Sequence, residues 1–230
     1  MANLPDAVAL PMGHADNPHT WSDYYDLMQG RPPRETLLRS LSLFDAEAGA
    51  AGSEHFAGFA VDIGCGEGRD TAELVRRGWR VLAIDGEPEA IARLQARPEI
   101  QAASALALRS NIAQALLETR VQRFEELTLP ANVDLINASF CLPFCPPTQF
   151  PALWNRLTHA LRPGGRMCGQ LFGDRDSWAA YDHMTHHTRA QAEALLQPFT
   201  IEMLEEEAHP GKTAMGEDKF WHIFHWVIRK

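Results

Sequence analysis

The residues best placed to do chemistry lie in Val61-Asp62-Ile63-Gly64-Cys65-Gly66-Glu67-Gly68-Arg69-Asp70, where an apolar run leads through three alternate glycines into a helical pattern. Gly64 permits a sharp turn after a strand. Gly66 and Gly68 remove side chains, so backbone N–H groups near the helix start can approach a ligand closely. Asp85 follows 21 residues after Gly64, just past the apolar run Trp79 to Ile84. A carboxylate in that place accepts hydrogen bonds from the two hydroxyls of a ribose. Together these residues make a nucleotide-type site. A dinucleotide fingerprint puts its third glycine five positions after the first, and Arg69 stands there, which disfavours a pyrophosphate-bearing nicotinamide cofactor. The opposing reading is a glycine-rich strand-to-helix turn with no ligand.

Such a turn needs a sheet behind it, and the chain alternates short apolar runs with amphipathic stretches, the pattern of βαβ units around a mostly parallel sheet. Strands are predicted at Phe59 to Ile63, Trp79 to Ile84, Val121 to Phe124, Val133 to Ser139, Arg166 to Phe172, Phe199 to Leu204 and Phe220 to Ile228. The last two make a terminal hairpin. Helices are predicted over Arg34 to Asp45, Asp70 to Arg77, Glu87 to Arg97, Glu99 to Glu118, Phe150 to Leu161, and from a capping box at Thr188 and Gln191 to Leu196. Residues 1–20, with Pro5, Pro11, Gly13 and Pro18, read as an irregular lead-in.

Composition sets the outer limits. The chain has 230 residues, 45% hydrophobic and 22% charged, with a net charge of -9. That length fits one larger α/β domain. It is expected to span residues 1–230, with residues 1–50 as lead-in and lid helix and 58–230 as core. The acidic balance argues against a nucleic-acid surface, which needs clustered Lys and Arg. No apolar run reaches membrane-spanning length, and the amino-terminal residues lack a signal-peptide pattern, so a cytoplasmic location is expected. The four cysteines, Cys65, Cys141, Cys145 and Cys168, lack zinc-site spacing and read as reduced thiols, mostly in strands.

Val61 to Asp70, Val81 to Ile91 and Leu161-Arg162-Pro163-Gly164-Gly165 resemble the class I S-adenosylmethionine-dependent methyltransferases. The run from Gly64 to Thr71, followed by Gly78 to Asp85, is similar in particular to the tellurite-resistance and thiopurine-type small-molecule enzymes. The resemblance covers Phe59 to Ile228. It implies a Rossmann-like α/β fold, a seven-stranded sheet of order 3-2-1-4-5-7-6 with strand 7 antiparallel and helices on both faces. It also implies S-adenosyl-L-methionine as cofactor. Asp62 and the backbone of Gly64 and Gly66 would hold its methionine part, Asp85 its ribose, and Gly86 and Glu87 would flank the adenosine. Many members place an acid against the adenine after the third strand. Here Arg123 occupies that position, so the Phe124 backbone with Glu125 is the substitute. The backbone around Asn137 and Ala138 would line the methionine end.

In an open α/β sheet the acceptor lies beyond the carboxyl ends of the strands. Phe140 and Phe144, in a proline-stiffened run, suit an apolar pocket wall or simple packing. Asp174, Arg175 and Trp178 follow a buried strand; the two charges either meet substrate or pair with each other. Trp21-Ser22-Asp23-Tyr24-Tyr25 precedes the core, and similar methyltransferases fold an aromatic segment over the cofactor. Tyr24 or Tyr25 then serves as lid and substrate contact, with Arg31 or Arg34 near an anionic group; the alternative is an aromatic staple for the first helix. His183, His186 and His187 invite a metal reading, but no carboxylate or thiol has supporting spacing and none is expected. His222 and His225 read as ordinary strand residues on opposite faces.

The sequence therefore predicts in-line methyl transfer to a small-molecule acceptor, releasing S-adenosylhomocysteine, by a monomer or homodimer without nucleic-acid or membrane partners. A covalent catalytic residue is not required, and a general base matters only for an acceptor that carries a proton. The alternatives are a non-catalytic S-adenosylmethionine-binding sensor or scaffold, a nucleic-acid or protein methylase, and a nicotinamide oxidoreductase.

Overall fold

Alternating apolar runs and amphipathic helices build one sheet with a helical layer on each face. A computed structural model describes Pro11 and residues 17–52, 56–109 and 116–230. The strands are β1 Phe59–Ile63, β2 Arg80–Asp85, β3 Leu117–Val121, β4 Val133–Ala138, β5 Leu161–Gly173, β6 His186–His187, β7 Thr200–Lys212 and β8 Asp218–Arg229. The helices are α1 Trp21–Met28, α2 Glu35–Ala50, α3 Arg69–Arg76, α4 Pro88–Ala96, α5 Pro98–Arg109, α6 Phe150–Ala160 and α7 Arg189–Leu196. The sheet order is β3-β2-β1-β4-β5-β8-β7, with β6 paired to the end of β5. Pairs are parallel from β3 through β5, and β8 runs antiparallel to both β5 and β7.

The expected class therefore holds, and the strand order differs only by the two-residue β6, which joins Phe172 and Gly173 through His186 and His187. Successive residues of the central strands face opposite layers, and both layers are apolar. Val61, Ile63, Leu82, Ile84 and Ile136 pack with Leu153 and Leu157 of α6 and Leu196 of α7. Ala60, Val81, Ala83 and Leu135 pack with Leu37 and Leu41 of α2, Leu74 of α3 and Leu94 of α4. A third cluster, Phe172, Trp178, Met184 and Ile223, sits at the carboxyl end of β5.

Several boundaries move, among them the start of β5, at Leu161 rather than Arg166, and the end of α2, at Ala50 rather than Asp45. The third strand lies at Leu117–Val121 rather than Val121 to Phe124, and Phe124–Glu126 is a single 3-10 turn. This strand closes the sheet edge with no fully buried position, so Leu117-Glu118-Thr119-Arg120-Val121 carries no apolar run to mark it. The terminal hairpin is far longer than its apolar segments, because Glu205, Glu206 and Glu207 pair in register with His225, Phe224 and Ile223. Helix α1, not among the helices predicted by position, carries the aromatic segment expected as a lid; Thr20 and Asp23 form a reciprocal capping box at its start. The long helix predicted to Glu118 ends as α5 at Arg109. Residues 110–115, and most of the predicted lead-in at 1–10 and 12–16, lie outside the described residues.

Only Cys168 of the four cysteines is in a strand, which corrects the expectation for the other three. Cys65 sits in the glycine turn, and Cys141 and Cys145 flank a single 3-10 turn after β4. All four are free and buried. Among the described residues no helix is long and apolar enough to cross a membrane.

Candidate functional site

The carboxyl ends of β1, β2 and β4 meet at the glycine turn. Gly64 and Gly68 both hold left-handed backbone, with φ of 62° and 89°. A Cβ on Gly64 would lie 2.4 Å from Cys141 Cβ, and one on Gly68 would lie 2.2 Å from Leu94 Cδ1. Any larger residue would push the turn away from β4 or α3 away from α4. The turn is tied to β2 by the Cys65 N–H donating to the Ile84 carbonyl at 3.1 Å.

Asp85 closes the turn from the other side. Its Oδ2 accepts from the Gly66 N–H at 2.8 Å and its Oδ1 from the Glu87 N–H at 2.9 Å. Each oxygen keeps a second acceptor direction. Burial pushes the Asp85 carboxyl up, opposed by these two backbone donors.

A cavity of about 620 Å³ opens over this floor. Its wall includes Gly64, Gly66, Asp85, Gly86, Glu87, Phe124 and Glu125, so seven of the ten residues predicted to hold a cofactor come together. Asp62, Gly68 and Asn137 do not line it. Asp62 is buried beneath, where it accepts from the Thr71 hydroxyl at 2.5 Å and from Asn137 Nδ2 at 2.9 Å. Asn137 Nδ2 also reaches Asp70 Oδ2 at 3.0 Å. Burial, and then Asp70, push the Asp62 carboxyl up to about 7. Asp62 and Asn137, both predicted at the methionine end, thus brace β1, α3 and β4 from behind.

Helix α1 roofs the cavity. Trp21 stacks on Tyr25 with ring centroids 6.2 Å apart and meets Phe144 edge-on at 5.6 Å. Tyr25 lies over Gly66, whose added Cβ would be 3.6 Å from Tyr25 Cε1. Burial and then Asp85 push its phenol pKa up. The roof is latched to α4 by Ser22 to Glu89 at 2.8 Å and Arg93 to Asp26 at 2.6 Å. Both latches are solvent-exposed and therefore weak.

A second cavity of about 500 Å³ shares Tyr24, Arg34, Phe140, Trp178 and Trp221 with the first. Phe140 sits at φ 56° two residues past the end of β4, held by its N–H donating to Gln170 Oε1 at 2.9 Å. The Arg34 guanidinium lies 4.2 Å above its ring. Trp178 and Trp221 are fixed from behind by Lys219, whose ammonium lies 4.3 and 4.0 Å from their rings and pairs with the buried Asp176. Burial pulls Lys219 down to about 8.

The predicted acceptor-side residues divide. Tyr24, Tyr25, Phe140, Phe144 and Trp178 line one or both cavities. Asp174 and Arg175 line neither: Arg175 pairs with Glu206 at 2.6 Å, and its N–H donates to His222 Nδ1 at 3.1 Å. His225, read as an ordinary strand residue, does face the second cavity. Glu207 binds His225 Nε2 at 2.8 Å and His209 Nε2 at 2.5 Å. No local signal marked this trio, because β7 and β8 are brought into register only by the hairpin. His186 and His187 form β6, with His187 packed on Phe150 at 4.9 Å. Among the described residues no three His, Cys, Asp or Glu side chains cluster as metal ligands.

The glycine turn, the acid after β2 and the strand order have a counterpart in known proteins: residues 60–165 match the family model described as a methyltransferase domain. That stretch is where the chain is similar to a methyltransferase domain. Solved methyltransferases share its fold. The 1,6-didemethyltoxoflavin-N1-methyltransferase of Burkholderia thailandensis, solved with 1,6-didemethyltoxoflavin and S-adenosylhomocysteine bound, is 20% identical with a TM-score of 0.57, over 91% of this chain and 83% of that one. TehB of Haemophilus influenzae is 14% identical with a TM-score of 0.61, over 92% and 67%. The N-methyltransferase NodS of Bradyrhizobium japonicum, in complex with S-adenosylhomocysteine, is 17% identical with a TM-score of 0.55, over 94% and 89%. No curated protein matches in sequence. The expected likeness to methyltransferases, a TehB among them, is thus found, and the matched stretch spans the glycine turn, Asp85 and Phe140.

Proposed function

We propose that this chain is a methyltransferase, transferring the methyl group of S-adenosylmethionine to a small-molecule acceptor. The observation that carries the reading is the pair of adjoining cavities: one is floored by the glycine turn and Asp85, the other lies beyond β5 and β8, and both share a wall of Tyr24, Arg34, Phe140, Trp178 and Trp221. Two ligands seated on either side of that wall meet at it. The cofactor supplies an electrophilic methyl carbon on a sulfonium. The chain's own residues bind and orient: Asp85 accepts from the ribose hydroxyls, the Gly64 and Gly66 backbone leaves room for close approach, and Phe124 with Glu125 borders the adenine end. Aromatic faces of Tyr24 and Tyr25 attract a sulfonium cation. Holding a nucleophile about 3 Å from the methyl carbon, opposite the sulfur, contributes several kcal/mol through orientation alone.

Residues 17–230 act as one unit in this reading, with α1 as the lid over the cofactor. The bound S-adenosylhomocysteine of NodS and of the toxoflavin enzyme supports the choice of cofactor. Calorimetric titration with S-adenosylmethionine, S-adenosylhomocysteine and oxidised nicotinamide cofactor tests it. Micromolar binding of the first two alone is expected, and binding of the nicotinamide cofactor instead overturns the reading.

A further inference from the structure

The second cavity is lined by three arginines, Arg31, Arg34 and Arg69, in a chain whose net charge is -9. Many arginines elsewhere are neutralised: Arg93 pairs with Asp26, Arg166 with Glu47 and Glu202, and Arg189 with Glu193. No described carboxylate pairs with Arg31, Arg34 or Arg69. Arg69 Nε donates to the Pro32 carbonyl, but its Nη1 is buried without a partner. A buried guanidinium N–H without an acceptor is costly and calls for an explanation. Burial and then the neighbouring Arg34 pull the Arg69 pKa down, and the nearby Asp70 and Glu67 oppose this without forming an ion pair with it. The charges of Arg34, Arg69 and Arg31 all act on the Tyr24 phenol.

The carboxylates on the same wall are otherwise engaged or removed. Glu207 is held by His225 and His209, and Glu217 accepts from the Thr213 hydroxyl at 3.3 Å. Glu35 opens α2 and is solvent-exposed. Arg34 borders both cavities, so it can meet the single carboxylate of the cofactor. Arg31 and Arg69 border only the second. Phe140, Trp178 and Trp221 add flat aromatic faces to the wall.

Building on the function proposed above, we infer that the methyl acceptor is a planar aromatic acid, its carboxylate held by Arg31 and Arg69 and its ring set against Phe140 and the two tryptophans. Guanidinium forks match a carboxylate in a bidentate way that an ammonium does not. The acid group is the handle, and the methylated atom lies on the ring side facing the shared wall.

Benzoate and its neutral counterpart benzamide serve as probes, titrated calorimetrically into the full chain saturated with S-adenosylhomocysteine. Benzoate is expected to bind at least tenfold more tightly than benzamide. Arg31→Gln and Arg69→Gln are each expected to weaken benzoate fivefold or more while S-adenosylhomocysteine affinity stays within twofold. Arg31 is exposed, so its variant folds even if loss of the Arg69 contact to Pro32 loosens that loop. Equal affinity for benzoate and benzamide overturns the inference. So do variants that weaken S-adenosylhomocysteine but not benzoate, an outcome that hands both guanidinium groups to the cofactor's carboxylate. If the wild-type chain binds no S-adenosylhomocysteine, the underlying methyltransferase function falls as well, which separates the two failures.

Discussion

Phe140 combines a left-handed backbone with a side chain that touches Arg34, Phe172 and His225. A residue with a Cβ in that conformation costs about 1 kcal/mol or more relative to glycine, and such strain persists where the surroundings over-determine it. Here the Gln170 side chain takes the Phe140 N–H and donates to the Thr36 hydroxyl at 3.1 Å, locking the loop to α2. Replacing Phe140 by Gly should therefore leave the chain about 1 kcal/mol more stable than replacing it by Ala, since both lose the ring and only Gly sheds the strain. Urea denaturation of the two variants decides it, and the opposite order would remove strain from the account. Asp85 makes the sharper test of binding. Asp85→Ala removes the acceptor of the Gly66 and Glu87 N–H groups and, in the proposed site, of both ribose hydroxyls, so S-adenosylhomocysteine affinity should fall at least tenfold. Unchanged affinity would sink its assignment.

Between elements, two buried polar clusters decide how helices meet the sheet. The Asp62 carboxylate, held by Thr71 and Asn137, ties β1 to α3 and β4. Its pKa is raised in the fold, to about 7, so the folded state binds more protons than the unfolded chain between about pH 4 and 7. The stability it contributes is present below pH 4 and is lost as pH rises through 7. Asp62→Asn, which cannot ionise, should flatten that slope, raising stability at pH 8 relative to wild type by roughly 1–4 kcal/mol. Denaturation midpoints at pH 5 and pH 8 measure the difference; an undiminished slope in the variant would place the titration elsewhere. Arg166 does the same work for α2. It is 1% exposed, pairs with Glu47 of α2 and Glu202 of β7, and lies 4.5 Å over the Phe44 ring. Arg166→Met keeps the apolar stem but leaves Glu202 with only the looser Arg229 contact at 3.4 Å. A loss of about 2–4 kcal/mol is expected, less for Glu47, which is half exposed and readily rehydrated.

For the whole molecule, burial governs reactivity. Burial raises the Cys65, Cys141 and Cys168 thiols and pushes Cys145 to about 11. The native chain should therefore react slowly with a thiol reagent at pH 8 and expose four equivalents only on unfolding. A fast-reacting thiol in the native state would show that the turn around Cys65 or the loop around Cys141 opens readily. The same large-scale packing explains how much of the site was legible beforehand. Gly64, Gly66 and Asp85 were readable because a strand, a tight turn and the next strand are contiguous, and backbone sterics confine such a turn to glycine. The alternation of helices and strands, and so the fold class, was readable because burial on one face or two imposes a period on the residues. Asp62 and Asn137 looked like ligand contacts by position, yet only their depth in the packed sheet turned them inward. The edge strand at Leu117, lacking a buried face, left no period to read. Arg31, Arg69 and His225 come from the loop before α2, the start of α3 and β8, more than 30 residues apart at the closest. Which unpaired charges share one cavity depends on long-range strand register and helix docking, and those are settled by tertiary structure alone.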